Sequence, residues 1–223
     1  MIGDKIPVNI LSVQLIANVS PTLAKELGVG EQYKSLGVIS TDCDDVTYMA
    51  LDEATKVAAV EVVYGRSLYA GAGNSSTKLA GEVIAILGGP SPSEVTSGLE
   101  GALHFIHSGV GFQTANCEGN VVYLAQCISR TGSYLSAQAQ VGQGEAVAYL
   151  VAPPVEAIYG LDAAMKASDV ELRCFFQPPT ETNFGGGLLT GTQSACAAAC
   201  EAFAQAVRDV ANQPINYGGG HGI

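Results

Sequence analysis

Two segments of the chain, 51–62 and 161–172, carry the same pattern of residues 110 positions apart. Leucine, aspartate, alanine, lysine, valine and glutamate recur at matching positions in LDEATKVAAVEV and LDAAMKASDVEL. Because the offset is close to half of the 223 residues, the repeat predicts two similar domains of about 100 residues each. This repeat limits the fold more strongly than any other feature of the sequence.

The segments around the repeat also correspond, and each half is predicted to run strand, strand, helix, strand, loop, strand, helix. That order is an α+β plan with the helices on one face of a sheet. Besides the two repeated helices, the expected elements are strands at 8–19, 36–40, 61–64 and 82–87 with a helix ending near 107, then strands at 120–129, 148–152, 171–176 and 188–191 with a helix at 192–211. We expect Ser93 to cap the first closing helix, because its hydroxyl can accept an orphan backbone N–H. The predicted domains are 1–111 and 112–223, and the tail at about 215–223 is predicted to be disordered.

Composition limits the classes of partner. Charged residues make up only 14% of the chain, against about 25% in an average protein, while hydrophobic residues make up 48%. A chain so poor in charge is expected to bury surface in subunit interfaces as well as in a core. The net charge of −11, with ten basic residues, leaves no basic cluster for nucleic acid and favours cationic ligands.

The sequence predicts a cytosolic location, since no secretory leader and no apolar run of membrane-spanning length are visible. In a reducing compartment the six cysteines are expected to be free thiols. Cys196 and Cys200 lie four residues apart in an alanine-rich segment, a spacing that suits either a metal site or close helix packing, and we favour packing.

Enzyme motifs are missing from the sequence. It contains no H-E-x-x-H, no G-x-S-x-G and no P-loop pattern. Glu100, His104 and His107 could form a metal-binding face or a solvated helix edge, and we favour the edge. Cys43 stands among aspartates, which should raise the pKa of its thiol and make it a poor nucleophile. We therefore predict a protein that is not an enzyme and has no cofactor or metal.

The repeated segments, together with 81–86 and more loosely 187–191, resemble the bacterial microcompartment shell domain, or BMC domain. The resemblance covers nearly the whole chain twice, and the extra strand before each copy matches the circularly permuted form of this ferredoxin-like domain. Tandem permuted members of the family form trimers that imitate the hexamers of single-domain members. Within the family the chain looks like the L-type ethanolamine-utilization members, a similarity that is carried by 40–48, 61–71, 129–135 and 148–154.

The resemblance implies a pseudohexameric homotrimer that tiles a microcompartment shell together with other shell proteins, with a central pore. Family pore loops follow the strand after the repeated helix, which here means Gly65–Lys78 and Gln177–Gly186. The implied pore-loop residues are Arg66, Ser67, Tyr69, Asn74, Glu181, Asn183 and Phe184. These long loops, with glycines at 71, 73, 185, 186 and 187, are expected to open and close the pore. The alternative is a pair of surface loops with no gate.

The acidic run from Asp42 to Asp45 has two interpretations. Acids at a helix start are stabilised by the helix dipole, which is a purely structural role. The resemblance instead implies small channels within each subunit that bind ethanolamine. The implied ligand-binding residues are Asp44, Asp45, Glu82, Phe112 and Thr182. Carboxylates and an aromatic face suit an ammonium group. The competing hypothesis from another class is a duplicated-domain amine sensor without a shell role.

Overall fold

The structure, a computed structural model, describes residues 1–68 and 82–216. The chain divides into two compact units. The first unit consists of Pro7–Val110 and Thr131–Gln138, and the second of Met1–Ile6, Gly111–Arg130 and Ala139–Ile223. Each unit thus contains most of one half of the chain and a short segment from the other half. The predicted division between residues 111 and 112 stays a prediction from the sequence.

The first unit is built on a four-stranded antiparallel sheet in the order β1-β2-β4-β3. The elements of this part of the chain are β1 (Ile10–Ile16), α1 (Pro21–Glu26), β2 (Ser35–Thr41), α2 (Asp44–Val57), β3 (Glu61–Ser67), β4 (Val83–Gly89) and α3 (Pro92–His107). Leu36 and Ile39 of β2, and Val83, Ala85 and Leu87 of β4, are fully buried. They occupy the two central strands, against which α2 and α3 pack.

The second unit repeats this plan with a sheet in the order β5-β6-β7-β9-β8. Its part of the chain contains β5 (Gln113–Thr114), β6 (Val122–Ile128), α4 (Ser133–Ala139), β7 (Val147–Ala152), α5 (Pro154–Ala167), β8 (Val170–Phe176), β9 (Gly185–Gly191) and α6 (Gln193–Asn212). Of these, α4 lies in the first unit as far as Gln138. Every residue of the central strand β7 is buried, and Phe203 of α6 and Leu161 of α5 close the core above it. The predicted α+β class and the tandem arrangement are confirmed.

The closing helix of each repeat begins in the same way. The Ser91 hydroxyl accepts a hydrogen bond from the Glu94 N–H (3.3 Å) at the start of α3, and Thr192 accepts from the Ala195 N–H (3.1 Å) at the start of α6. The prediction that Ser93 caps α3 was wrong. Ser91 is the cap because Pro92 follows it at the first helical position, where a missing N–H costs nothing.

Three further features were not predicted. The short helices α1 and α4 are missing from the sequence prediction, and β3 continues to Ser67. The predicted loop at 177–186 is shorter than expected, since Gly185, Gly186 and the adjoining Gly187 are buried and paired within β9. A Cβ atom on Gly186 would collide with the carbonyl oxygen of Leu150, so these glycines allow β9 to approach its neighbour.

No helix in the described ranges is both long and apolar enough to cross a membrane. The predicted disordered tail begins at about 215. Its residues from 217 onward lie outside the described part of the chain.

Candidate functional site

The acidic run lies at the turn between β2 and α2 in the first unit, where a network of hydroxyl groups fixes the backbone. The Thr41 and Thr47 hydroxyl oxygens are 2.7 Å apart, and both side chains donate to the Cys43 carbonyl, at 2.9 and 2.8 Å. The Cys43 N–H in turn donates to Thr41 Oγ1 (3.1 Å). Thr41 and Thr47 are fully buried, so the direction in which α2 leaves the sheet is well determined.

Asp44 and Asp45 occupy the first turn of α2 and are 7% and 8% exposed. The Asp45 N–H donates to Asp44 Oδ1 (2.9 Å). Two adjacent carboxylates this deeply buried are costly unless hydrogen bonds or cations compensate them. The helix dipole gives part of that compensation, as the structural interpretation of the run expects.

Asp42 has a separate structural role. Both of its carboxylate oxygens accept from Asn9, one from the backbone N–H (2.7 Å) and one from the side-chain amide (2.6 Å). The carboxylate of Asp42 therefore fastens the segment before β1 to the end of β2.

Glu82 directly precedes β4 and reaches the same turn, and we call Asp44, Asp45 and Glu82 together the acidic corner. Its N–H donates to the Thr41 carbonyl (2.9 Å), and its carbonyl accepts from the Leu68 N–H (2.7 Å). Burial raises the pKa of Glu82 from its usual 4.5 to about 7, and the carboxylates of Asp44 and Asp42 push it in the same direction. Ionisation of Glu82 beside these aspartates is therefore unfavourable. A small cation bound there would relieve this repulsion.

Cys43 is unsuited to nucleophilic chemistry. Burial, and after it the charge of Asp45, raises the pKa of its thiol well above the ordinary value. At neutral pH the sulfur is protonated, in agreement with the sequence prediction. His104 and His107 are exposed on α3, and the described residues contain no group of three side chains that could hold a metal ion. Cys196 and Cys200 are buried in α6, as the packing interpretation expects.

Two of the predicted ligand residues belong to the second unit. Phe112 is 8% exposed, and its ring contacts that of Phe184 edge to face at 5.4 Å between centroids. Thr182 lies in a tight turn that is closed by hydrogen bonds from the Thr180 N–H to the Phe184 carbonyl (2.8 Å) and from the Asn183 N–H to the Thr180 carbonyl (3.0 Å). The roles of Phe112 and Thr182 in ligand binding stay predictions.

The predicted pore-loop residues fall in three different settings. Arg66 and Ser67 belong to β3 rather than to a loop, and the Ser67 hydroxyl is 2.8 Å from that of Tyr48. Tyr69 and Asn74, like the glycines at 71 and 73, lie outside the described residues. The other members of the set, Glu181, Asn183 and Phe184, lie in or beside the turn that precedes β9.

One residue with a clear structural role, Asp52, was noted in the sequence only as part of the repeat. Its side chain is fully buried in the first unit and accepts from the Gly132 N–H (2.7 Å) and the Leu135 N–H (2.8 Å) at the start of α4. Lys56 completes the arrangement with an ion pair at 3.2 Å. The recurrence of an Asp-x-x-x-Lys spacing in both repeats was the available signal.

The sequence matches a known family model and known proteins over much of its length. The model of the BMC domain family matches residues 35–115. The bacterial microcompartment shell protein EutL of Clostridium perfringens is 65% identical over 217 residues, which cover 97% of this chain and 100% of that protein. The protein of the same name from Escherichia coli is 51% identical over 212 residues, covering 95% and 97% of the two chains.

The fold also matches a solved structure over nearly the whole chain. The crystal structure of the ethanolamine utilization protein EutL from Leptotrichia buccalis superimposes with a TM-score of 0.94 at 58% sequence identity. The match covers 97% of this chain and 100% of that one.

Proposed function

Since the chain belongs to the bacterial microcompartment shell proteins of the EutL type, which are structural proteins and not enzymes, we propose that three copies form a flat tile of the shell around a central pore. Near-full-length identity of 65% to a shell protein carries this proposal. Two similar units in each chain give a trimer six similar units around its axis, and such an outline packs a plane. The low charge of the chain agrees with edges that are buried against neighbours.

The tile is tested by its ability to assemble. Electron microscopy of the purified protein at low ionic strength should show sheets with hexagonal spacing. Round particles of single-trimer size under all conditions would contradict tiling. A duplicated amine sensor without a shell role would give the same negative result, but the similarity to shell proteins over 97% of the chain does not support it.

The proposed shell belongs to an ethanolamine-utilization microcompartment, a role that the name of the Leptotrichia buccalis protein supports. The pore of the tile would admit metabolites, and the two predicted loops would gate it. In the second loop, any change of shape within the turn from Thr180 to Phe184 would break its hydrogen bonds, so we expect that turn to move as one piece. Maps of the trimer that show one closed pore in every condition would count against gating.

The acidic corner is the proposed binding site for ethanolamine within each subunit. Asp44, Asp45 and Glu82 offer carboxylates to the ammonium group, and charge-assisted hydrogen bonds of this kind contribute about 1.5–3 kcal/mol each. Glu82 must lose its proton to pair with a cation, and its pKa is about 7. Ethanolamine should therefore bind more tightly at pH 8 than at pH 6.

Calorimetric titration with ethanolamine tests this site. Asp45→Ala and Glu82→Ala should each weaken binding about tenfold or more, the equivalent of roughly 1.4 kcal/mol. Glu100→Ala, which removes an exposed acid from α3, serves as the matched control and should leave affinity unchanged. Ethylene glycol, which lacks the charge, should not bind. Unchanged affinity in both site variants would exclude the acidic corner as the ligand site.

A further inference from the structure

The helices α2 and α5 occupy the same place in the two repeats, but they are covered differently. Each carries an aspartate and a lysine four residues apart, Asp52 with Lys56 and Asp162 with Lys166, joined by ion pairs of 3.2 and 2.6 Å. The side chain of Asp52 is 1% exposed, whereas that of Asp162 is 58% exposed. The aspartate at this position is thus buried in one repeat and exposed to solvent in the other.

The face of α2 is covered by the beginning of α4. Besides the two bonds that Asp52 accepts, the Ser133 N–H donates to Thr55 Oγ1 (3.0 Å). The rings of Tyr48 and Tyr134 lie 6.1 Å apart. Along α2, the covering segment is therefore contacted by residues at positions 48, 52 and 55, which are neighbours on one helix face.

Among the residues that the structure describes, none covers the corresponding face of α5 as α4 covers α2. The residues that repeat positions 48, 52 and 55 are Ile158, Asp162 and Met165, which we call the α5 stripe. Ile158 is 56% exposed and Met165 is 39% exposed, and the neighbouring Tyr159 is 56% exposed. A row of large apolar side chains around one acid is unusual for a surface that faces water.

The repeat counterpart of α4 is α1. Each follows the first long strand of its repeat and ends at a residue with positive φ, Gly28 (68°) after α1 and Gln140 (52°) after α4. The two end residues are 112 positions apart, so Ser20 corresponds to Gly132 and Leu23 to Leu135. Leu135 is fully buried, whereas Leu23 is 43% exposed and α1 buries none of its residues.

The geometry points to the α5 stripe as the docking surface for the α1 segment, residues 20–26, of a second copy of this chain. Both surfaces are exposed in the single chain, so covering them takes a second copy. Asp162 then accepts from the backbone at the start of α1, as Asp52 accepts at the start of α4. This contact joins two different faces, so it repeats from copy to copy, and with a three-fold rotation between copies it closes the ring of the proposed trimer. The inference rests on the proposed trimer and names its interface.

The pairing of α5 with α1 differs from that of α2 with α4 at one close contact, and the α5 stripe can accommodate the difference. Gly132 lies so close to α2 that a Cβ atom on it would collide with Thr55 Oγ1. Its counterpart Ser20 has a Cβ atom, but position 165 holds methionine, whose unbranched side chain can turn aside. The close approach at this point also shows where a covalent link between copies should form.

A disulfide cross-link tests the pairing. Ser20→Cys combined with Met165→Cys, in a background where the exposed Cys117 is changed to serine, places two thiols at the position of this close approach. Mild oxidation should give covalent species of two and three chains on a non-reducing gel, and reductant should reverse them. The matched controls carry only one of the two new cysteines, Ser20→Cys or Met165→Cys, in the same background, and each should remain a single chain on the gel.

The outcomes separate this inference from the proposed function. A wild-type trimer in the native mass spectrum without any interchain cross-link in the double variant would overturn the pairing of α5 with α1 and leave the tile intact. A wild-type monomer would overturn the tile and the pairing together. Cross-linked chains from a trimeric protein would support both.

A second measurement needs no new cysteines. Asp162→Ala should raise the concentration at which the trimer dissociates by about tenfold or more, since it leaves buried backbone N–H groups without an acceptor. Asp169→Ala, which removes an equally charged and exposed residue just beyond the end of α5, should leave dissociation unchanged. Equal effects of the two changes would contradict the specific role of Asp162.

Discussion

Replacing Asp52 by alanine should destabilise the first unit more than any other single change of a carboxylate in it. The side chain accepts two backbone hydrogen bonds of 2.7 and 2.8 Å and pairs with Lys56 at 3.2 Å. It is fully buried, so water cannot replace it in the folded state. Its removal leaves two buried N–H groups without an acceptor and takes from Lys56 one of its two carboxylate partners, the other being Glu53.

The expected loss follows from these contacts. Each buried N–H left without an acceptor costs about 1–3 kcal/mol, so the two groups together account for about 2–6 kcal/mol. We expect Asp52→Ala to lower the free energy of unfolding by about 4 kcal/mol, a large part of the ~5–15 kcal/mol of a typical protein. Asp52→Asn keeps one acceptor oxygen and should lose about half as much.

Urea denaturation followed by circular dichroism measures this loss, with all variants at one protein concentration because assembly adds to apparent stability. Glu53→Ala is the matched control, since Glu53 is the next residue of α2 and also pairs with Lys56 (2.6 Å), but its side chain is 33% exposed. It should cost less than about 1 kcal/mol. Equal losses for Asp52→Ala and Glu53→Ala would refute the argument that Asp52 anchors α4.

Three further predictions concern pH, helix capping and sheet packing. Between pH 4.5 and 7 the folded protein holds a proton on Glu82 that the unfolded chain releases, so Glu82 makes the free energy of unfolding fall as the pH rises. Glu82→Gln should remove this contribution to the pH dependence of the urea midpoint, measured from pH 5 to pH 8. Parallel slopes for variant and wild type would contradict it. Ser91→Ala should cost about 1 kcal/mol in thermal or urea unfolding and Ser93→Ala almost nothing, whereas the reverse order would restore the cap expected from sequence. Gly186→Ala should lower stability by about 3 kcal/mol or prevent soluble expression, because its methyl group meets the Leu150 carbonyl, and a normal urea midpoint would show that β9 can shift.

The sequence predicted the order of strands and helices well because the same pattern occurs in both halves of the chain. The repeat around Leu51 and Leu161, together with alternating apolar runs, was enough to predict the order of strands and helices in both halves. The short helices α1 and α4 were missed, since helices of this length carry no periodic apolar pattern. Their place is decided by tertiary contacts, which a local pattern does not contain.

The candidate site was predicted less completely. The acids of the β2–α2 turn stood out by composition, whereas Glu82 was grouped with them only through the family resemblance. In the fold, Glu82 comes to this turn from the position just before β4. The glycines at 185–187 were interpreted as a loop because glycine is common in loops, whereas here they allow two strands to lie close together. For α3 the signal was present but misjudged, since Pro92 at the first helical position favours Ser91 as the cap.

The burial of Asp52 and the exposure of Asp162 could not be separated from sequence at all. The two residues stand at the same position of the same repeated pattern, and both have a lysine four residues on. Their difference comes from what covers the helix, which is α4 in one case and open surface in the other. That asymmetry is the physical reason to expect a second copy at α5.

A native mass spectrum of the purified protein tests the central claim most directly, because the tile, its pore and the α5 interface all require a ring of three chains. We predict a dominant species at three times the chain mass of 22.8 kDa, with little monomer at micromolar concentration. A clean monomer or dimer under the same conditions would contradict it, since no axis would then exist for a pore.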